Sequence, residues 1–516
     1  MHIRESRLGQ FTLTFLLSMS FLFIGKWNAS ANKNKKGYQS YPTSRKAYKS
    51  YGYGNAYGSY SLPKKTKNPY KQSSPQSYRV NISKQKKLKK KKKKKKLSPY
   101  QSKLKVSVAH PYLLRRLKKK QRTYIKVGLT GALRKYPKKR SPVNLAIVLD
   151  RSGSMHGTKL QKAKEASAWI LKQLRPDDVL SVVTYNSTVQ VLLPATKVLS
   201  KERIRKKIMA IRAGGSTALF GGVSKGLSEV RKFLSKKRIN RVILLSDGIA
   251  NIGPSSPNAL GRLGRASAKQ GITITTIGLG LGYNEDLMTR LAMHSDGNHG
   301  FAKSANHIKD LFKSELNDIF AVVAQQIKIK IRCSRGIRPV RVLDRRAKIR
   351  GNRVEVRLNQ LYSKQEKYVL LEVEIPPSLF ISTMPLVDVS VLYTEMNTYK
   401  PRQLAAQTHV ILTEQPILLS RNLNRSVMIQ VVESIANERT RLAVAARDKG
   451  KLKSARIQLL NNAAYLQTMA KRLGSVRLQQ YSYTNNVNAQ RLSKKQWNCT
   501  RKKMRQSQHK IQNQTK

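Results

Sequence analysis

Two hydrophobic rhythms divide the central part of this chain. In Lys103–Val108 and Thr123–Leu129 apolar and polar residues alternate, the pattern of half-buried strands. Between 142 and 324 the rhythm changes to near-continuous apolar runs at Val143–Leu149, Val179–Tyr185, Val242–Leu245 and Ile272–Leu279. Such runs read as strands buried on both faces. The stretches between them have helical spacing: Lys159–Leu174, Ile204–Ile211, Phe220–Leu234, Asp286–Ala292 and Ala305–Val323. Leu160, Ala163, Ala166, Ala168, Ile170 and Leu171 form the inner face of the first of these. Strand–helix alternation of this kind predicts an α/β domain with a doubly wound, mostly parallel sheet.

Alternation with period two returns afterwards, at Ile327–Ile331, Val354–Leu358, Tyr368–Ile375, Leu386–Tyr393 and His409–Leu412. The strands of 99–141 and those of 325–415 fit one small β-sandwich with the α/β domain inserted between them; two separate β pieces fit as well. In 416–475, Val427–Arg447 and Leu452–Leu473 read as a helical hairpin turning at Asp448-Lys449-Gly450. That pair is expected to pack on the domain rather than lie on a membrane. Residues 476–516 are rich in Gln, Asn and Lys and are expected to be an unfolded basic tail.

The N-terminal segment adds a compartment. Arg4 and Arg7 precede a fourteen-residue apolar run, Phe11 to Ile24, too short to span a bilayer, and Ala29-Ser30-Ala31 follows. This predicts a signal peptide at 1–31 and an exported protein, periplasmic, cell-surface or secreted, with no transmembrane helix once it is cleaved. An uncleaved short anchor is the other reading. Residues 32–98 mix Tyr, Gly, Ser, Pro and Lys and end in the unbroken run Lys89–Lys96. They are expected to be a disordered tether that adheres to anionic polymers of the envelope, not a specific nucleic-acid module.

Charge sharpens the picture. The formal net charge is +78, and no Asp or Glu occurs between Glu5 and Asp150 or after Asp448. The first carboxylate after the N-terminus thus ends an apolar run, in Asp150-Arg151-Ser152-Gly153-Ser154. A carboxylate and two hydroxyls at alternate positions can turn toward one point, and hard oxygen donors suit Mg²⁺. Gly214-Gly215-Ser216-Thr217 offers a further hydroxyl, and Ser246-Asp247 closes another buried strand. In an open α/β sheet, ligands gather beyond the carboxyl ends of the strands, where Asp150 and Asp247 both fall.

These three segments, in this order, resemble the von Willebrand factor type A domain, in its bacterial type, over roughly 142–324. The resemblance implies an intact metal-ion-dependent adhesion site with Asp150, Ser152, Ser154, Thr217 and Asp247 as metal ligands, Asp247 through water. It also implies a divalent cation, Mg²⁺ ahead of Mn²⁺ or Ca²⁺, and a protein partner that presents an Asp or Glu to it. The expected function is therefore metal-dependent adhesion or assembly outside the cytoplasm. The alternative is a polycationic binder of anionic polymers in which the α/β domain is only scaffold.

Other residues carry less. No nucleophile–base pairing suggests an enzyme. His294, His299 and His307 fit no zinc or catalytic spacing and read as loop or surface residues. Asp177-Asp178 reads as a turn, and Gly278-Leu279-Gly280-Leu281-Gly282 lacks the dinucleotide-binding spacing. Cys333 and Cys499 could pair in an oxidising compartment, although a strand and a floppy tail are poor partners.

Overall fold

The structure is a computed structural model that describes residues 100–115, 119–133, 140–377 and 382–514. The expected signal peptide at 1–31 and tether at 32–98 lie outside the described residues.

The chain enters through β1 (Lys103–Val108), β2 (Tyr112–Leu114) and β3 (Gln121–Thr130). The α/β domain follows: β4 (Val143–Asp150), α1 (Thr158–Gln173), β5 (Val179–Tyr185), β6 (Val189–Lys197), α2 (Lys201–Met209), α3 (Leu219–Lys232) and β7 (Ile239–Ser246). It continues with α4 (Pro257–Lys269), β8 (Thr273–Leu279), α5 (Glu285–His294), β9 (His299–Ala302) and α6 (Ile308–Phe320). The sheet order is β6-β5-β4-β7-β8-β9, parallel except for the β5–β6 pair at one edge. The chain leaves β4 for β5 on one side and returns to β7 on the other, so the topological switch point lies at β4.

Both faces of this sheet are covered, which is why every residue of β4, β5, β7 and β8 is buried. One face packs Leu145, Ile147 and Ile243 against Ile170 of α1, Ile208 of α2 and Phe312 of α6. The other packs Val148, Val183 and Leu244 against Val223 and Leu227 of α3 and Leu260 of α4. Helix α3 can lie close because Gly226 faces Val148: a Cβ there would come within 2.4 Å of the valine methyl.

After α6 come β10 (Val322–Cys333), β11 (Arg338–Val342), β12 (Lys348–Arg350), β13 (Arg353–Tyr362), β14 (Glu366–Ile375), β15 (Thr383–Glu395) and β16 (Pro401–Thr413). Strands from before and after the α/β domain share sheets, in the orders β1-β3-β14-β11 and β12-β13-β10-β15-β16-β2. The two sheets enclose Ile125, Val127, Ile329, Val356, Leu371 and Val389. The expected last helix to Val323 ends earlier. Val322 and Val323 already belong to β10, because alternate residues of that strand must face the sandwich core.

The C-terminal region holds α7 (Pro416–Arg421), α8 (Arg425–Asp448), α9 (Leu452–Leu473), α10 (Val476–Gln490) and α11 (Lys494–Asn513). Helix α8 lays Val427 and Val431 on the outer face of the four-stranded sheet, against Leu343, Leu370, Tyr124 and Tyr368. This explains why β14, which reads as alternating, is buried along both faces over most of its length.

The expected unfolded tail at 476–516 is corrected: its described residues form two helices. The sequence shows little apolar periodicity there because much of what α10 and α11 bury is polar. Ser482, Asn485, Gln508, His509 and Asn513 are buried beside Leu478, Trp497 and Met504. Ser482 donates to Ala463 O at 2.8 Å and Asn513 to Gly297 O at 3.0 Å, so these two side chains are matched on folding. Cys333 and Cys499 are free thiols, the first buried in the sandwich and the second on α11.

Candidate metal site

Strand β4 ends on Asp150, whose carboxylate is held in the interior at 0% exposure. One oxygen accepts from the backbone N–H of Ser152 at 2.9 Å, and the other from the hydroxyl of Ser246 at 2.6 Å. The two neighbouring strand ends are thereby tied together. Burial pushes the Asp150 carboxyl above its usual range, the Ser152 and Ser246 bonds oppose this, and the charge of Asp247 adds to the rise.

The Asp-x-Ser-x-Ser loop brings its hydroxyls together as expected. Ser152 Oγ lies 3.2 Å from Ser154 Oγ, and Ser154 Oγ donates to Asp247 Oδ1 at 2.6 Å. Thr217 arrives from the second loop. Backbone bonds fasten that loop to the first, Gly153 N–H to Gly215 O at 2.9 Å and Gly214 N–H to Arg151 O at 2.8 Å. Gly215 takes φ of +80°, where a side chain would also meet Ser187 Oγ at 2.8 Å. Asn251 Oδ1 receives the Thr217 N–H at 2.8 Å.

Gly248 completes the cradle. A Cβ on it would sit 3.0 Å from Thr217 Oγ1 and 3.6 Å from Ser154 Oγ, so only glycine leaves these hydroxyls a common space. All five residues singled out by sequence therefore converge where β4 and β7 end. Their donors are two carboxylates and three hydroxyls, a set suited to a hard divalent cation and poor in the nitrogen or sulfur that zinc favours. Among the described residues no group of three or more His, Cys, Asp or Glu side chains forms a metal cluster. A site built mainly on hydroxyls is of a different kind.

Sequence reasoning passed over four supporting residues. Ser246 holds Asp150, Asn251 holds Thr217, and Tyr185 is buried next to the Asp150 carboxylate. Lys159 in the first turn of α1 reaches back, its ammonium 2.5 Å from Asp247 Oδ2 and 3.0 Å from Ser154 O. Ser246 was visible as the neighbour of Asp247; the others have no local signal.

Several secondary readings change. Asp178 is no simple turn residue. Fully buried, it pairs with Arg140 and accepts the backbone N–H groups of Val143 and Arg175 at 2.8 and 2.7 Å, bracing the start of β4. His299 is not a loop or surface residue but opens β9 in the interior, with Thr276 Oγ1 at 2.9 Å from Nδ1. Gly278 admits the ring of Tyr283, which a Cβ would touch at 2.2 Å.

A model of the von Willebrand factor type A domain family matches residues 144–314. The Escherichia coli (strain K12) protein YfbK, described as uncharacterized, is 29% identical over 213 residues, 41% of this chain and 37% of its own length. The chain spans less than two thirds of the length of the first curated relatives it matches. A von Willebrand factor type A structure from Catenulispora acidiphila superposes with a TM-score of 0.61 at 16% identity, over 77% of this chain and 91% of that one. A paralogue of ArnB from Sulfolobus acidocaldarius gives 0.56 at 17% identity, over 80% and 98%. At such identities the likeness is one of fold, and it reaches beyond the α/β domain. Residues 144–314 of this chain thus match the von Willebrand factor type A domain family and carry its fold.

Proposed function

We propose that this protein is a divalent-cation-dependent protein-binding module, for adhesion or assembly, that acts outside the cytoplasm and captures an acidic side chain of its partner. The observation that carries the reading is the meeting of Asp150, Ser152, Ser154, Thr217 and Asp247 around Gly248 at the switch point of the sheet.

Asp150 and Asp247 would hold the cation with Ser152, Ser154 and Thr217; Mg²⁺ suits these donors best, Mn²⁺ and Ca²⁺ also being oxygen-seeking. A cation bound there supplies an electrophilic centre that a partner's carboxylate can complete. The chain's own residues do the rest. Ser246 and the Ser152 N–H hold Asp150 in one orientation. Around the site, Ile249 and Leu281 are 62% and 53% exposed, an apolar rim that a docking protein would cover. We read the site as a binding site and not an enzyme's: Ser154 donates to the carboxylate of Asp247, and among the described residues its hydroxyl has no hydrogen bond to an imidazole.

The net charge of +78 favours a second reading, binding of anionic polymers through the Lys-rich segments. Pull-down of partners from an envelope extract, with EDTA and with high salt as separate arms, decides between the two. Loss of the partner in EDTA at constant ionic strength and in Asp150→Ala supports the metal-dependent reading. Loss in salt alone, with EDTA and Asp150→Ala both silent, overturns it. Calorimetry that finds no uptake of Mg²⁺, Mn²⁺ or Ca²⁺ would overturn it too.

A further inference from the structure

Away from the metal site, a groove runs where α4, α5 and the loop between β11 and β12 meet the C-terminal helix α11. It consists of two adjoining cavities of about 460 and 690 Å³ that share Met293, His294, Arg345 and Arg346. Three of its guanidiniums come from three separate elements: Arg265 from α4, Arg290 from α5 and Arg346 from the loop. They are close enough that Arg265 and Arg290 both disfavour the charged form of Arg346, after burial.

The acids of the groove form ion pairs with other cations, although Asp286, one turn before Arg290 on α5, also feels its charge. Asp296 is engaged by Lys367 at 3.4 Å and Arg345 at 3.6 Å, and Asp344 by Arg441 at 3.1 Å. Asp286 is taken by Arg501 and Arg505 at 2.5 and 2.9 Å, and Glu438 by Arg341 at 2.7 Å. By contrast, among the described residues Arg346 makes no hydrogen bond or ion pair. Arg290 touches the amide oxygen of Asn258 at 3.0 Å, and Arg265 touches His294 Nδ1 at 3.2 Å.

His294 stands at the centre of this surplus. Its Nδ1 also lies 3.0 Å from Gly261 O, so the ring has two competing partners. Burial first, then Arg346 and Arg265, push its pKa down to about 4, and the ring is neutral near pH 7. Three guanidiniums and a neutral imidazole thus converge, none of the three in an ion pair with a carboxylate among the described residues, in a cleft of ligand size. A basic surface alone does not explain this, since it would spread the guanidiniums apart. Fork-shaped donors on a shared cleft match the oxygens of a phosphoryl group.

We infer that this groove is a binding site for a phosphate-class oxyanion carrying at least two negative charges, held by Arg265, Arg290 and Arg346. The inference does not depend on the metal site, and it differs from diffuse attraction to the Lys-rich N-terminal segment because its contacts are fixed.

The test uses the full chain at constant ionic strength, with pyrophosphate and glycerol 2-phosphate as probes. The titration of His294 is followed by NMR, its resonance assigned with His294→Gln. Saturating pyrophosphate is expected to raise the His294 pKa by about one unit or more, since the anion screens the neighbouring guanidiniums. In calorimetry the double variant Arg265→Gln/Arg346→Gln is expected to bind pyrophosphate at least about tenfold more weakly. Both side chains reach solvent, so its circular dichroism and melting should match the parent. Binding of pyrophosphate alone assigns a free polyphosphate, and binding of both probes extends the site to phosphate esters. An unmoved His294 titration overturns the inference, as do identical isotherms for parent and variant, the behaviour of anion held by the Lys-rich segment alone.

Discussion

The ammonium of Lys159 lies 2.5 Å from Asp247 Oδ2, while the other oxygen of that carboxylate accepts from Ser154 at 2.6 Å. A cation carried by the protein thus shares a ligand with the proposed metal, and the two charges repel. Lys159→Met is therefore expected to tighten Mg²⁺ binding about two- to fivefold, a modest gain because the lysine side chain is 40% exposed and screened. Calorimetric titration of both proteins checks this. Weaker binding in the variant would mean that Lys159 positions Asp247 and does not compete with the metal.

Ser246 supports Asp150 from the neighbouring strand, and no solvent reaches either group. Ser246→Ala removes this donor and leaves a buried carboxylate oxygen without it. The expected costs are about 1–3 kcal/mol of stability and about tenfold or more in Mg²⁺ affinity, as for other groups that orient a metal ligand. Thermal denaturation with and without Mg²⁺ separates the two effects.

Arg501 joins α11 to the rest of the molecule. It contacts Glu285 and, at 2.5 and 2.8 Å, Asp286 and Asp448, while Lys502 beside it donates to Glu285 at 2.6 Å and Tyr283 O at 2.8 Å. Arg501→Ala leaves three carboxylates short of a partner. A loss of about 3–5 kcal/mol is expected, with α11 becoming the first site of cleavage in limited proteolysis. Unchanged protection of residues 494–513 would show that Trp497 and Met504 hold the helix without the ion pairs.

The buried Glu433 of α8 makes stability depend on pH. Its side chain is 2% exposed, and burial raises its pKa to about 7, with Arg477 opposing. The folded-state pKa thus exceeds the unfolded value near 4.5, so folding is favoured while the group keeps its proton. That contribution is complete below about pH 4.5 and is lost as pH rises through about 7. Glu433→Gln should therefore gain stability relative to the parent between pH 4 and pH 8, by up to about 3 kcal/mol. Melting temperatures of the pair across that range are the measurement. A constant difference would remove Glu433 from the pH response.

The two kinds of strand were legible because burial leaves a mark on composition. Val143–Leu149 is apolar throughout since helices cover both faces of its sheet, and β10 alternates since one of its faces looks away from the core. The residues of the proposed metal site stood out for a similar reason: Asp150 and Asp247 break apolar runs with charge that a plain core would not tolerate. The edge strand β6 and helix α4 escaped notice because half-exposed elements keep a weaker pattern. Arg241 left no trace at all. It is wholly buried at the junction of the domains, 3.0 Å from Glu315 and hydrogen-bonded to Gln360 at 2.6 Å, partners that lie far away in the chain.

By itself the sequence determined most of the alternation of strands and helices and the five oxygen-bearing side chains. Each of these is written in residues close together or in short motifs at strand ends. Tertiary structure alone decided that residues 476–513 fold, that Lys159 reaches Asp247, and that Arg265, Arg290 and Arg346 face one groove. The first two outcomes rest on polar groups whose desolvation is offset by partners tens to hundreds of residues away. A periodicity cannot record such pairings, because the energy resides in the contact and not in either segment.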